Sequence, residues 1–437
     1  MKKILIKGDS NENNKFEDNF NNDYETAKLI NFISDKINKN PKIKNMIRAG
    51  FFIFLILFNI FFIQTNEKAI FLKPFEKYVN LCKHGKIIKR TKIINDHPYI
   101  SVCLAALNMR LYMQQNLLSI INQSFQDFEI IIINDFSNDN TRFIIEKMQK
   151  EDDRIKIINH NKNLGVYHSR VEAVLNSNGK YILFLDPDDM FLNQNLFKKL
   201  FYNNIDYNFD IIEFLVVNRK DGNNNIYYPR SHHSNHNHPY IKDIIYQPEL
   251  SDIIFYVPRS KNYSTIICRT IWNKIFKREI QLKTIKYIGK DFYWNNFLIV
   301  ADDTLLNIIN FHFANNYTNI RLPGYLYLLK KNSMSRGYIN KEYRKKQNIS
   351  FFHYYFYFYK YIKEFNKDRH FFFYDLMLFK GRLFELKNLN DSAKINKLKL
   401  LLYDIKNDSK SFDKLKILAN KMLAHLNNKT QRSRKLY

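Results

Sequence analysis

Short apolar runs alternate with amphipathic segments through the middle of the chain. Tyr99–Leu104 (YISVCL) and Phe128–Ile133 (FEIIII) read as strands, and Ile155–Asn159 and Tyr181–Leu185 repeat the pattern. Between them Leu117–Asn122, Thr141–Lys150 and Val166–Asn176 carry apolar residues at helical spacing. Strands that are apolar without alternation are covered on both faces, and their regular exchange with helices predicts a doubly wound parallel sheet. In that architecture Asn108, Asp135, Gly165 and Asp186 follow successive elements onto one rim. It is the carboxyl edge of the strands, where open α/β sheets bind ligands.

The most informative point on that rim is ILFLDPDDM, residues Ile182–Met190. Asp186, Asp188 and Asp189 emerge together at the end of a buried-strand pattern. Clustered carboxylates repel unless a cation joins them, so a divalent metal with hard oxygen ligands is the economical reading. Asp-Pro-Asp-Asp also suits a solvated turn that caps the next helix.

Around these residues the sequence resembles the family 2 glycosyltransferases, inverting enzymes of the GT-A fold. The matching pieces are PYISVCLAALN, SIINQSFQDFEIIIINDFSNDNT, DDRIKIINHNKNLGVYHSR and NGKYILFLDPDDM, with WNKIFKREI and ADDTLL more weakly. The resemblance covers Pro98 to Ser335 and implies a nucleotide-sugar donor, with UDP as carrier. It implies that Asp135 accepts a hydrogen bond from the base. Asp186 and Asp188 match the DxD pair, whose second acid holds Mg²⁺ or Mn²⁺ against the diphosphate. Asn108 and Arg170 fall on the donor side. Asp303, supported by Asp302, falls where the family has its general base, which takes the proton of the acceptor hydroxyl as the new bond forms. Two acids at a helix N-terminus are also favoured there by the helix dipole alone. Trp272 and Lys274 in WNKIFK are candidates for the acceptor side; a core tryptophan beside a surface lysine is the alternative reading.

The chain departs from the family pattern at several positions. AALN stands where the family has PxYN, so Leu107 replaces an aromatic and base stacking from that position is in doubt. NDFS replaces DDGS, putting Phe136 where a glycine is usual. None of these changes removes the metal or base carboxylates. The rival readings are a nucleotidyltransferase, which would want a glycine-rich phosphate loop that AALNMR lacks, and an inactive membrane-tethered glycan-binding protein.

The flanking regions follow other patterns. Residues 1–48 form a polar tail with a basic end, and no charge occurs from Ala49 to Asn66 around FFIFLILFNIFFI. As a helix those residues rise about 27 Å, enough for a thin bilayer. Lys36, Lys39, Lys42, Lys44 and Arg48 precede them, which predicts a cytosolic tail by the positive-inside rule. The expectation is a single-pass type II membrane enzyme of the Golgi or endoplasmic reticulum. Its parts are a transmembrane span over 49–66, a stem over 67–97, the GT-A domain over 98–335 and a helical region over 336–437. The acceptor is a hydroxyl on a glycan, lipid or protein.

The formal charge is +27, but the lysines are scattered through a chain equally rich in Asn and Ile and no reading motif is present, so nucleic acid is not a partner. Three cysteines make no disulfide framework, although Cys82 in the stem could join two chains as a homodimer. The glycosylation sequon at Asn122 lies too near the core for use. His232, His233, His236 and His238 sit in a polar insertion without carboxylate support, which argues against zinc.

Overall fold

The structure, a computed structural model, describes residues 68–88, 91–204, 207–220, 226–227, 244–247, 250, 270–289, 302–330, 341–365, 392–407 and 413–434. The chain divides into two units, up to Lys73 and from Pro74 onward. The span expected over 49–66 and the histidine-rich segment lie outside the described residues. Among those described, no helix is long and apolar enough to cross a membrane.

The second unit is a mixed α/β fold on one sheet. Its first strands are β1 (Ile100–Ala106), β2 (Phe128–Asn134), β3 (Ile155–Asn159) and β4 (Tyr181–Phe184). They pair in parallel in the order β3-β2-β1-β4. Helices α2 (Met113–Ile121), α3 (Thr141–Glu151) and α4 (Val166–Leu175) make the crossovers; α1 (Lys68–Lys83) precedes the sheet. Every residue of β2 is buried, as its unbroken apolar run requires.

Beyond β4 the sheet changes character. Strands β5 (Met190–Phe191), β6 (Ile211–Lys220), β7 (Ile226–Tyr227), β8 (Ile244–Tyr246), β9 (Lys274–Lys277) and β10 (Asn316–Leu329) follow, with α5 (Leu196–Asn204) after β5. β9 runs antiparallel between β4 and β6, while β10 is parallel to β6 and antiparallel to β5. The expectation of a mostly parallel sheet therefore holds for the first half and is corrected for the second. No strand–helix–strand crossover separates β4 from β5, so β5 can reverse at once and pair with β10.

The expected stem is corrected as well. From Phe75 onward, α1 packs its apolar face: Phe75, Tyr78, Val79 and Cys82 are buried. Tyr78 donates to the carbonyl of Ser119 at 2.9 Å, and Asn122 bonds the backbone of Ile88 and Lys86. Cys82 is a buried free thiol pushed up to about 11 by burial, so it presents no sulfur to a second chain. Asn122 is fully buried, in keeping with an unused sequon.

At the other end, α6 (Arg278–Ile288) and α7 (Asp302–Phe313) carry the C-terminal helices α8 (Lys341–Glu364), α9 (Ser392–Asn407) and α10 (Asp413–Arg434). The aromatic run of α8 faces inward: Tyr354, Tyr355, Phe358 and Tyr361 are all buried. Tyr287 on α6 donates to Glu364 at 2.8 Å. Through α8 the C-terminal region thus meets α6 and α7, while α9 packs on α8 and on α10.

One expectation fails inside β9. Lys274 is fully buried, 3.2 Å from Glu213 on the neighbouring strand, and it donates to the carbonyl of Thr270 and to Asn273. With no exposed surface it cannot line an acceptor pocket. Trp272 is buried too, its ring 4.4 Å from Tyr325 and 5.6 Å from Tyr327, a core platform in place of a pocket wall. Lys274→Ala leaves the Glu213 carboxylate buried without its cation and lowers stability by about 3–5 kcal/mol. A urea midpoint moved by less than about 1 kcal/mol, the scale of a surface pair, would refute this account of the pair.

Candidate active site

The carboxyl ends of β1, β2 and β4 present the predicted rim. Three of its loops hold residues at positive φ: Asn108 at 56°, Phe136 at 65° and Gly165 at 92°. Gly165 has ψ 159°, a combination that is essentially glycine's alone. Its amide donates to Asp135 at 2.8 Å and to Asn163 at 3.0 Å. The Leu164 amide donates to the other Asp135 oxygen at 2.7 Å, where His160 Nδ1 also lies 2.8 Å away. Asp135 is buried, and these three donors leave about one of its four lone-pair sites free. Asn108 bonds across to the next loop, with its amide on Ser137 Oγ and its side chain accepting from Asn138.

The Asp-Pro-Asp-Asp turn gives its three acids three different surroundings. Asp189 is buried and accepts from the Tyr325 hydroxyl and the Leu328 amide, both at 2.7 Å. Burial raises its carboxyl well above the usual range, and the charges of Asp188 and Asp186 add to the rise. It latches the turn to β10. Asn116 on α2 holds the same turn from behind, donating to the carbonyls of Asp186 and Asp189 at 2.9 and 2.8 Å. Asp186 faces Arg170 Nη2 at 2.6 Å. Asp188 keeps about a quarter of its side chain exposed and pairs with Lys330, whose ammonium also lies 4.6 Å over the Tyr112 ring.

Arg170 joins this rim to α7. Its Nη1 binds Asp302 and its Nη2 binds Asp186, and the guanidinium is buried between them. Asp135 has other partners and takes no part in this pairing. Burial opposes the charged guanidinium most strongly; the three acids Asp302, Asp186 and Asp303 outweigh it and raise the Arg170 pKa. Next to Asp302, at the start of α7, Asp303 accepts from the Thr304 amide at 2.8 Å. Burial, reinforced by the Asp302 charge, pushes its carboxyl up to about 6.

A hard divalent cation fits these residues in a limited way. The half-free carboxylate of Asp188 and the second oxygen of Asp186 are oxygen donors of the right chemistry, whereas Asp189 is spent on Tyr325 and Leu328. One or two carboxylates completed by substrate phosphates is the usual Mg²⁺ arrangement. Arg170 and Lys330 already supply positive charge here, so the acids are not left to repel one another.

Asn116, His160, Tyr325 and Lys330 were not among the residues singled out from sequence. Asn116 and Tyr325 reach the turn from 70 and 139 residues away along the chain. The nearest sequence signal was the polar Asn116 inside the apolar face of α2.

The family described as Glycosyl transferase family 2 matches residues 101–280 of this chain. A putative teichuronic acid biosynthesis glycosyltransferase, TuaG of Bacillus subtilis, is 35% identical over 106 residues, 24% of this chain and 42% of that protein. A GalNAc(5)-diNAcBac-PP-undecaprenol beta-1,3-glucosyltransferase of Campylobacter jejuni is 35% identical over 97 residues, 22% of this chain and 31% of that one. The match thus spans less than half the length of either relative. The crystal structure of S. aureus TarS 1-349 aligns with TM-score 0.49 and 17% identity over 78% of this chain and 92% of that one. These relatives are bacterial, which overturns the expected placement in the Golgi or endoplasmic reticulum.

Arg170→Met keeps much of the volume but strands Asp186 and Asp302 without their cation. The expected loss of stability near neutral pH is about 3–5 kcal/mol. Burial already holds the Asp186 carboxyl above its ordinary value and Arg170 opposes that rise, so without the arginine folding favours the protonated form of Asp186 more strongly. The deficit therefore shrinks as pH falls toward about 4. Denaturant titrations at two pH values check this, and a deficit that grows in acid contradicts it.

Proposed function

We propose that this chain is an inverting glycosyltransferase of GT-A type that moves a sugar from a UDP-sugar to a hydroxyl group. One observation carries the reading. Through Arg170, the donor-side acid Asp186 and the base-side pair Asp302–Asp303 belong to one buried charge cluster. A single displacement needs both at one reacting centre.

Each group has a part in that displacement. Asp135 offers its remaining lone pair to the N–H of the base. Arg170 and Lys330 place positive charge beside the diphosphate. Asp303 takes the proton of the acceptor hydroxyl as its oxygen attacks the anomeric carbon. The bond from that carbon to the diphosphate breaks on the opposite face, and UDP leaves with the bonding electrons. A base that titrates at about 6 is deprotonated at neutral pH and still close enough to it to accept a proton. Asp186 and Asp188 would hold a Mn²⁺ or Mg²⁺ ion, which when bound neutralises charge on the leaving diphosphate. The names of the two bacterial relatives, one in teichuronic acid synthesis and one acting on an undecaprenol-linked glycan, favour a carbohydrate hydroxyl as acceptor.

The test uses purified full-length protein, a panel of UDP-sugars and Mn²⁺, with release of UDP as readout. Asp188→Ala is expected to abolish turnover, and chelation of the metal to do the same until Mn²⁺ is restored. Asp303→Asn should bind donor nearly as well as the parent yet transfer almost nothing; normal transfer removes Asp303 from the base role.

The pH profile gives an independent check. Asp303 must be deprotonated to work, so kcat/KM should fall below about pH 6. The Asp302 charge raises the Asp303 pKa, so Asp302→Asn should move that limb to lower pH. A limb that stays fixed or moves to higher pH refutes the assignment.

A further inference from the structure

Phe136 is out of place by every ordinary rule. Its φ of 65° lies in the left-handed region, where a bulky side chain is a genuine outlier. The residue is 54% exposed. A glycine or asparagine would hold the same backbone more easily and present no apolar surface to water. The chain therefore carries both a backbone strain and an uncovered aromatic ring at one position.

The surroundings enforce that conformation. The Phe136 amide donates to the carbonyl of Asn134 at 2.9 Å, and Asn134 Oδ1 accepts from the Ser137 amide. On one side the loop is stapled to residues 108–110 by Asn108–Ser137, Asn108–Asn138 and Arg110–Asp139 bonds. On the other, Asn134 Nδ2 donates to Asn159 and its carbonyl accepts from the His160 amide. Strained backbone persists where neighbouring structure over-determines it, and such places concentrate at ligand sites. Asp135, the preceding residue, is buried against the amides of Leu164 and Gly165, while Phe136 is exposed.

We infer that Phe136 is the platform on which the nucleotide base stacks, a specificity-determining contact that rests on the glycosyltransferase reading above. Leu107, on the neighbouring loop, is aliphatic and offers no aromatic face. A flat pyrimidine would cover the exposed ring, while its imide N–H meets the lone pair left on Asp135. Base–aromatic stacking is strong enough to be seen in affinity when the ring is deleted.

Calorimetry on the full chain tests this with UDP and with inorganic diphosphate, each in the presence of Mn²⁺. Phe136→Gly removes the ring and the strain together. It should weaken UDP about tenfold or more, leave diphosphate binding unchanged, and keep or raise the melting temperature. Phe136→Tyr should bind UDP like the parent. A ring that served only packing would lower the melting temperature and weaken both ligands alike, and that result overturns the inference. Undiminished UDP binding by Phe136→Gly overturns it while leaving the glycosyltransferase reading intact. A parent protein that binds neither ligand overturns both.

Discussion

A guanidinium withdrawn from water must find its anions within the protein, and Arg170 finds them on two elements that lie far apart along the chain. Asp186 lies at the end of β4 and Asp302 begins α7, 132 residues from Arg170 along the chain. Burying one positive charge thus fixes the distance between the donor-side turn and the helix that carries the candidate base. The arrangement also sets the chemistry of Asp303. Burial raises its carboxyl most, the Asp302 charge adds to the rise, and Arg170 opposes it.

The Asp-Pro-Asp-Asp turn shows how one short segment can hold several roles without conflict. Three carboxylates this close would destabilise one another if all were charged in the same environment. Asp189 is withdrawn to Tyr325 and a backbone amide, Asp186 is matched to Arg170, and Asp188 pairs with Lys330, the last two each keeping about a quarter of the side chain toward solvent. The acid most committed to the fold and the acid freest for a ligand are adjacent in sequence. Their difference comes from partners on α2, α4 and β10, which meet only here.

Much of the first half of the domain was legible from its pattern. Parallel strands buried on both faces leave continuous apolar runs, and FEIIII is one, so β1 to β4 and the residues at their carboxyl ends follow directly. The second half was less legible. Its strand directions depend on pairings such as β9 between β4 and β6, and nothing local in KIFK specifies them. Lys274 shows the same limit: a lysine beside a tryptophan reads as surface or pocket until Glu213 is seen on the adjacent strand. Asn116, Tyr325 and Lys330 were missed because their meaning lies wholly in contacts made at long range. The positive φ of Phe136 was foreshadowed only by the glycine the family carries there.

The two edges of the parallel half make the contrast between stability and function concrete. At the amino edge, Glu129 accepts from Ser101 at 2.6 Å, from the amides of Asn178 and Gly179 at 2.6 and 3.2 Å, and from Lys156 at 2.8 Å. That carboxylate is saturated, and it ties β1, β2, β3 and the entry to β4 together with nothing left over. At the carboxyl edge capacity remains: a lone pair on Asp135, an exposed oxygen on Asp188, and a base with an elevated pKa at Asp303. Strain collects there as well, on the order of 1–3 kcal/mol for a non-glycine residue held in the left-handed region. A fold that satisfies its polar groups at one edge can carry unsatisfied and strained ones at the other, and those are the groups with free energy left to exchange with a ligand.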